Sequence, residues 1–141
     1  MTKDMPTLTF NEIGRHQSKI VTTKVVSKLS PWFNKVNLGD EFAIPISHGE
    51  GRFVANENVL KELEENGQIA TQYVDFNGNA SYDIRYNPNG STLGIEGITS
   101  KDGRILGKMG HSERSYTGVI KNVPGNPDQK LFQAGVEYYA Y

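Results

Sequence analysis

Apolar and polar residues alternate over residues 18–26, SKIVTTKVV, and the β-branched content of that run suits a strand. Residues 41–47, EFAIPIS, form a short apolar run that predicts a buried strand ending in a glycine-flanked loop, His48-Gly49-Glu50-Gly51-Arg52. Asn56 is placed to cap a helix running through Glu65, with Val59, Leu60 and Leu63 on its inner face and Asn66-Gly67 as the stop. Residues 69–74 and 80–86 flank Phe76-Asn77-Gly78-Asn79, and an Asn-Gly pair between two alternating runs predicts a hairpin. A second hairpin is predicted from residues 93–99 and 104–109 across Lys101-Asp102-Gly103, with 104–109 as a buried strand. Beyond a loop marked by Pro124, Gly125 and Pro127, a helix is expected from Asp128. Its Leu131, Phe132, Gly135, Val136 and Tyr139 recur at helical spacing and read as a core-packing stripe. Ser30-Pro31-Trp32-Phe33 reads as a turn carrying an aromatic anchor, and residues 1–14 as a lead-in without a period, as though its earlier partner elements lay elsewhere.

Length and charge narrow the classes. A chain of 141 residues suffices for one domain with a core. A formal net charge of -1 argues against a general nucleic-acid binder, whose affinity rests on excess Lys and Arg against phosphates. Five basic residues, Arg15, Lys19, Lys24, Lys28 and Lys35, sit in a stretch with no acidic residue between Glu12 and Asp40. They read as a solvated strand face with lysines guarding an edge, ahead of a docking face for an acidic partner. No run of apolar residues is long enough to span a membrane, and no leader pattern opens the chain, so a soluble, cytoplasmic protein is expected. The sequence has no Cys, which excludes a disulfide, a thiolate metal site or a thiol nucleophile within these residues.

Two His-x-Glu pairs, His48/Glu50 and His111/Glu113, each follow an apolar run, and strands that end together would bring them to one rim. A carboxylate on one ring nitrogen fixes the tautomer of a histidine, so the other nitrogen can take and return a proton. By spacing alone the commoner reading of such a pair is a surface contact. Convergence of His48, Glu50, His111 and Glu113 on a divalent ion is a third reading, since imidazole and carboxylate suit zinc, iron or manganese. His16, beside Arg15 and Gln17, reads as a surface residue.

Five blocks in order, PISHGEGRFVA (45–55), NGQIATQYVD (66–75), NPNGS (87–91), IEGITSKDGRILGKMGHSER (95–114) and LFQAGVEYY (131–139), resemble the class I glutamine amidotransferase domain of phosphoribosylformylglycinamidine synthases, a purine-biosynthetic family. The resemblance implies an α/β, partial flavodoxin-like domain over residues 1–141, with two β-hairpins, a short central helix and a C-terminal helix. It implies a Cys-His-Glu triad in which His111 is the base and Glu113 orients it, and a glutamine pocket shaped by the main chain of Ser47, His48 and Gly49. Glutamine would be hydrolysed and its ammonia passed to a synthase domain or subunit, which would hold ATP and Mg; no cofactor is expected in these residues.

The family carries its cysteine upstream of all five blocks, and this sequence has none. The residues therefore read as the C-terminal part of the domain, inactive without an N-terminal half that bears the nucleophile, and with the edges of 41–47 and 104–109 left open to self-association. A non-catalytic interaction or structural domain is the alternative, and a metal-dependent hydrolase built on the two His-x-Glu pairs ranks behind it.

Overall fold

A computed structural model describes residues 5–140, so residues 1–4 of the lead-in and Tyr141 lie outside it. Five strands form one antiparallel sheet: β2 (Gln17–Val25), β3 (Glu41–His48), β5 (Ile69–Tyr73), β6 (Ile95–Thr99) and β7 (Leu106–Lys108). Across the sheet they run β3-β2-β5-β6-β7. Two short strands, β1 (Thr7–Thr9) and β4 (Arg52–Val54), pair separately, so the lead-in holds a strand that its sequence did not announce. Every pairing between these strands is antiparallel, and the helices are α1 (Glu57–Glu65) and α2 (Leu131–Tyr139).

Local chemistry explains most of the boundaries. The Asn56 side chain accepts the Val59 N–H at 2.9 Å and caps α1, which ends where Gly67 takes a left-handed φ of 68°. Leu63 is buried, and Val59 and Leu60 join it in a cluster with Phe53, Ile69 and Ile95. A second cluster collects Val25, Phe33, Val36, Phe42, Ile44, Ala70 and Leu131, with Trp32 packed on its rim. The Pro31–Phe33 turn is therefore the aromatic anchor that the sequence suggested, and Trp32 Nε1 donates to Arg104 O at 2.8 Å.

Several expectations are corrected. Residues 80–86 do not complete a hairpin: pairing stops at one bridge, Val74 to Ala80, and Phe76 is 91% exposed. The reason is that β5 has no free edge, since β2 occupies one side and β6 the other. The second hairpin forms, but its β7 arm is an edge strand and is not buried; Ile105 beside it is 73% exposed. The α2 stripe is core only in part, because Leu131 and Gly135 face inward with Ala134 while Phe132, Val136 and Tyr139 are exposed. Finally, β2 lies inside the sheet, so its lysines guard no edge. They tie loops down instead, Lys19 Nζ donating to Arg85 O and Lys24 Nζ to Gly78 O; beyond the strand, Lys28 Nζ donates to Val36 O and Lys35 pairs with Glu137 on α2.

β3 and β7 lie at opposite edges yet run in the same direction, because an even number of antiparallel steps separates them. The sheet curls until the chain leaving β7 reaches the outer edge of β3. His111 N–H donates to Pro45 O at 2.9 Å and Ala43 N–H to Asn126 O at 2.9 Å, so the β3 edge expected to be open is covered by later residues of the same chain.

The fit of α2 on the Trp32 turn has no slack, because a Cβ added at Gly135 would overlap the Trp32 ring. Gly135→Ala is expected to destabilise the fold by about 1–3 kcal/mol through overpacking. Urea unfolding followed by Trp32 fluorescence, the chain having a single Trp, checks this: a lower midpoint at unchanged slope is the expected result.

Candidate active site

The two histidines singled out in the sequence meet where the curled sheet closes. β3 ends at His48, and the chain passes Gly110 after β7 to reach His111 on the opposite side of the gap. Their rings stack with centroids 5.0 Å apart and planes 10° from parallel. A short turn, Ser112–Arg114, folds Glu113 back so that its Oε1 lies 2.6 Å from His111 Nδ1. A carboxylate only accepts, so Nδ1 carries the proton and Nε2 keeps its lone pair. That Nε2 is sealed from solvent and has no hydrogen-bond partner. The arrangement is an oriented base waiting for an acid. Beside it lies a cavity of about 430 Å³ walled by Trp32, His48, Leu106, Met109, His111 and Leu131, among others.

Charge follows the same geometry. Burial pushes the Glu113 carboxyl up, but the hydrogen bonds from its own backbone and from His111, with the charges of His111 and Arg114, outweigh it and leave the carboxyl below its ordinary value. His48 is held below its ordinary 6.5, first by burial and then by the neighbouring charges of His111, His16 and Arg114 against the opposing pull of Glu96.

Ser47, His48 and Gly49 stand at this rim, though their main chain is already engaged. Asn11 Nδ2 donates to His48 O at 2.6 Å, Asn11 N–H to Gly49 O at 3.0 Å, and Gly51 N–H to Asn11 Oδ1 at 2.9 Å. His16 is exposed, as expected of a surface residue, and its Nε2 lies 3.0 Å from Ser47 Oγ. The 87–91 loop backs this rim: Ser91 Oγ accepts the Phe53 N–H at 3.0 Å, and Arg52 Nε donates to Gly90 O at 3.2 Å. Among the described residues no group of three or more His, Asp or Glu side chains converges as a metal site would require, so the metal-dependent hydrolase reading has no ligand set. Asn11 and the buried Glu96 were missed in the sequence. Asn11 sits in a stretch without a period, and Glu96 in IEGI reads as an outward position of a strand.

A model of the CobB/CobQ-like glutamine amidotransferase domain matches residues 1–139. The chain belongs to that family. It is 36% identical over 111 residues to the phosphoribosylformylglycinamidine synthase subunit PurQ of Aquifex aeolicus, covering 79% of this chain and 48% of that protein. To PurQ of Methanosarcina acetivorans it is 34% identical over 131 residues, covering 93% and 54%, and to PurQ of Trichormus variabilis 39% over 117 residues, covering 83% and 46%. The chain thus spans about half the length of the curated relatives it matches. The structure of PurLQS from Thermotoga maritima superposes with a TM-score of 0.69 at 28% identity, over 95% of this chain and 53% of that one. Two helices on antiparallel sheets fit part of a class I amidotransferase domain.

The depressed His48 gives the site a pH signature. The unfolded chain takes up the His48 proton near 6.5, while the folded chain resists it until lower pH, so stability is complete above about 6.5 and falls as the pH drops through that value. His48→Asn should flatten this part of the pH dependence. Ring-proton titration by NMR and urea midpoints on both sides of about pH 6.5 check it; a His48 ring titrating at or above the ordinary value would contradict the burial argument.

Proposed function

We propose that this chain is the C-terminal part of the glutaminase domain of a phosphoribosylformylglycinamidine synthase, in which His111 is the general base and Glu113 orients it. The observation that carries the reading is the Nδ1 contact of His111 with Glu113 in a member of an amidotransferase family. Its relatives named as synthase subunits support the substrate class and the need for a synthase partner.

The chemistry follows from what the pair can do. A cysteine thiolate, supplied from outside these 141 residues, attacks the side-chain amide carbon of glutamine, and the proton that the thiol gave up resides on His111 Nε2. Glu113 stabilises the imidazolium and holds its plane. His111 then donates that proton to the departing nitrogen, so ammonia leaves and a thioester forms. Water attacks the thioester while Nε2 takes its proton, glutamate is released, and the thiol is restored. The rim made by Ser47, His48 and Gly49 contributes the wall of the glutamine pocket, chiefly through the side chains of Ser47 and His48, since Asn11 occupies the His48 and Gly49 carbonyls. Ammonia passes to the synthase, where ATP and Mg belong; this is metabolism of the cytoplasm. The absence of Cys favours a second reading, a domain that serves only as an interaction partner.

The 141-residue chain alone should release no glutamate from glutamine, and addition of the cysteine-bearing polypeptide should produce hydrolysis. In that complete enzyme His111→Ala should lower kcat by about 10⁴-fold or more, and Glu113→Gln by less. Hydrolysis that survives His111→Ala would sink the triad assignment. No hydrolysis from the complete assembly would leave the interaction reading standing.

A further inference from the structure

Glu96 is a fully buried carboxylate that no step above uses. It lies mid-strand in β6, and its partners come from the strands on either side. One oxygen accepts from Thr71 Oγ1 on β5. The other, Oε1, accepts the Gly110 N–H at 2.6 Å and lies 3.0 Å from Lys108 Nζ, whose side chain is 10% exposed. Lys108 Nζ also donates to Gly110 O at 3.1 Å. One ion pair therefore grips a single peptide residue at both its N–H and its C=O, and the next residue is His111.

The grip and the glycine are matched. A Cβ at position 110 would come 2.5 Å from Ile44 Cγ2, 2.8 Å from Glu96 Oε1 and 3.0 Å from Lys108 Nζ, so no side chain fits between the ion pair and β3. Position 110 is also where the chain leaves β6, which still accepts the Met109 N–H at 2.9 Å, and crosses to β3, where Pro45 O accepts the His111 N–H. Stability does not explain the ion pair, because a buried pair gives little or no net gain over apolar residues of the same volume. Burial pushes the Glu96 carboxyl up, but the Lys108 charge and the hydrogen bonds from Thr71, Gly110 and Lys108 outweigh it, so the carboxylate stays ionised and keeps its hold.

We propose that Glu96 and Lys108 are positioning residues for His111: as a buried ion pair they fix the Gly110 peptide, and with it the point from which the base is presented. What His111 does once presented rests on the amidotransferase reading; how it is held does not.

The test uses the complete enzyme, this chain with its cysteine-bearing polypeptide, in three variants: Glu96→Gln, Lys108→Met and the two together. With this chain alone ¹⁵N-labelled in the assembly, the Gly110 amide proton, bonded to a carboxylate, should resonate far downfield. It should move upfield where Glu96→Gln removes the carboxylate, alone or with Lys108→Met, and in all three variants the His111 Nδ1 proton held by Glu113 should broaden in exchange with water. Glutamine hydrolysis should lose about 10²-fold in kcat with KM for glutamine within about twofold, the split expected when a base is misplaced but the substrate pocket is intact. The double variant keeps the volume without a stranded charge, so it should fold where a single variant does not, and still show the loss. Wild-type kcat in the folded double variant, or a loss matched by the unfolded fraction, would overturn the proposal. If the wild-type assembly has no glutaminase activity, the functional reading fails, and the two proton signals alone decide: unchanged His111 Nδ1 exchange in the variants overturns the proposal, and faster exchange supports it.

Discussion

Every backbone polar group on the outer edge of β3 needs a partner, and the residues after β7 supply several. Pro45 O takes the His111 N–H, Ala43 N–H finds Asn126 O, and Ser115 Oγ donates to Ala43 O at 3.2 Å. Those bonds are possible only if the five-stranded sheet coils far enough for its two edges to approach, which the handed twist of antiparallel strands favours. Where they approach, His48 and His111 stack face to face. The candidate site is thus the seam of the sheet.

The seam also explains why the loops around it are tightly laced. A rim built from two strand ends and two turns has no regular ladder to hold it, so side-chain amides take over: Asn11 bonds His48 O and Gly51 N–H, and Asn87 bonds Ser91 at both its N–H and its C=O. Close approach replaces side-chain packing here, as at Gly51, where a Cβ would strike the Asn89 amide. The rigidity this gives would suit the proposed base, which must keep one orientation.

Much of this was legible in the residues. Alternation placed β2, the apolar run gave β3, Asn56 and Gly67 bounded α1, and Asp102-Gly103 turned β6 into β7. The i, i+2 spacing of His111 and Glu113 sufficed for their contact, since one short turn separates them. What escaped were relations between strands distant in sequence. Period 2 tells which face a residue takes but not which edge a strand occupies, so it does not show that β5 has no edge left for residues 80–86 or that β2, with its lysines, lies inside the sheet. Glu96 escaped for the same cause: its position in β6 looks outward until the coil of the sheet encloses it with Lys108. The α2 stripe misled because Phe132 and Val136 share a helical period with Leu131 and Gly135 while pointing away from Trp32. The family resemblance supplied the fold class, which spacing alone would not have named, and suggests the triad reading.

The seam carries a kinetic consequence. Ser115 and Ala43, which meet across it, are 72 residues apart in the chain, and the β2–β3 and β6–β7 hairpins on either side can form from local contacts long before they meet. Loop-closure entropy makes such a distant junction slow to form, so closure is expected late in folding, after the hairpins exist. A chain stalled before that step would hold its strands and helices yet keep His48 and His111 apart. The stacked imidazoles are therefore expected to report completed folding.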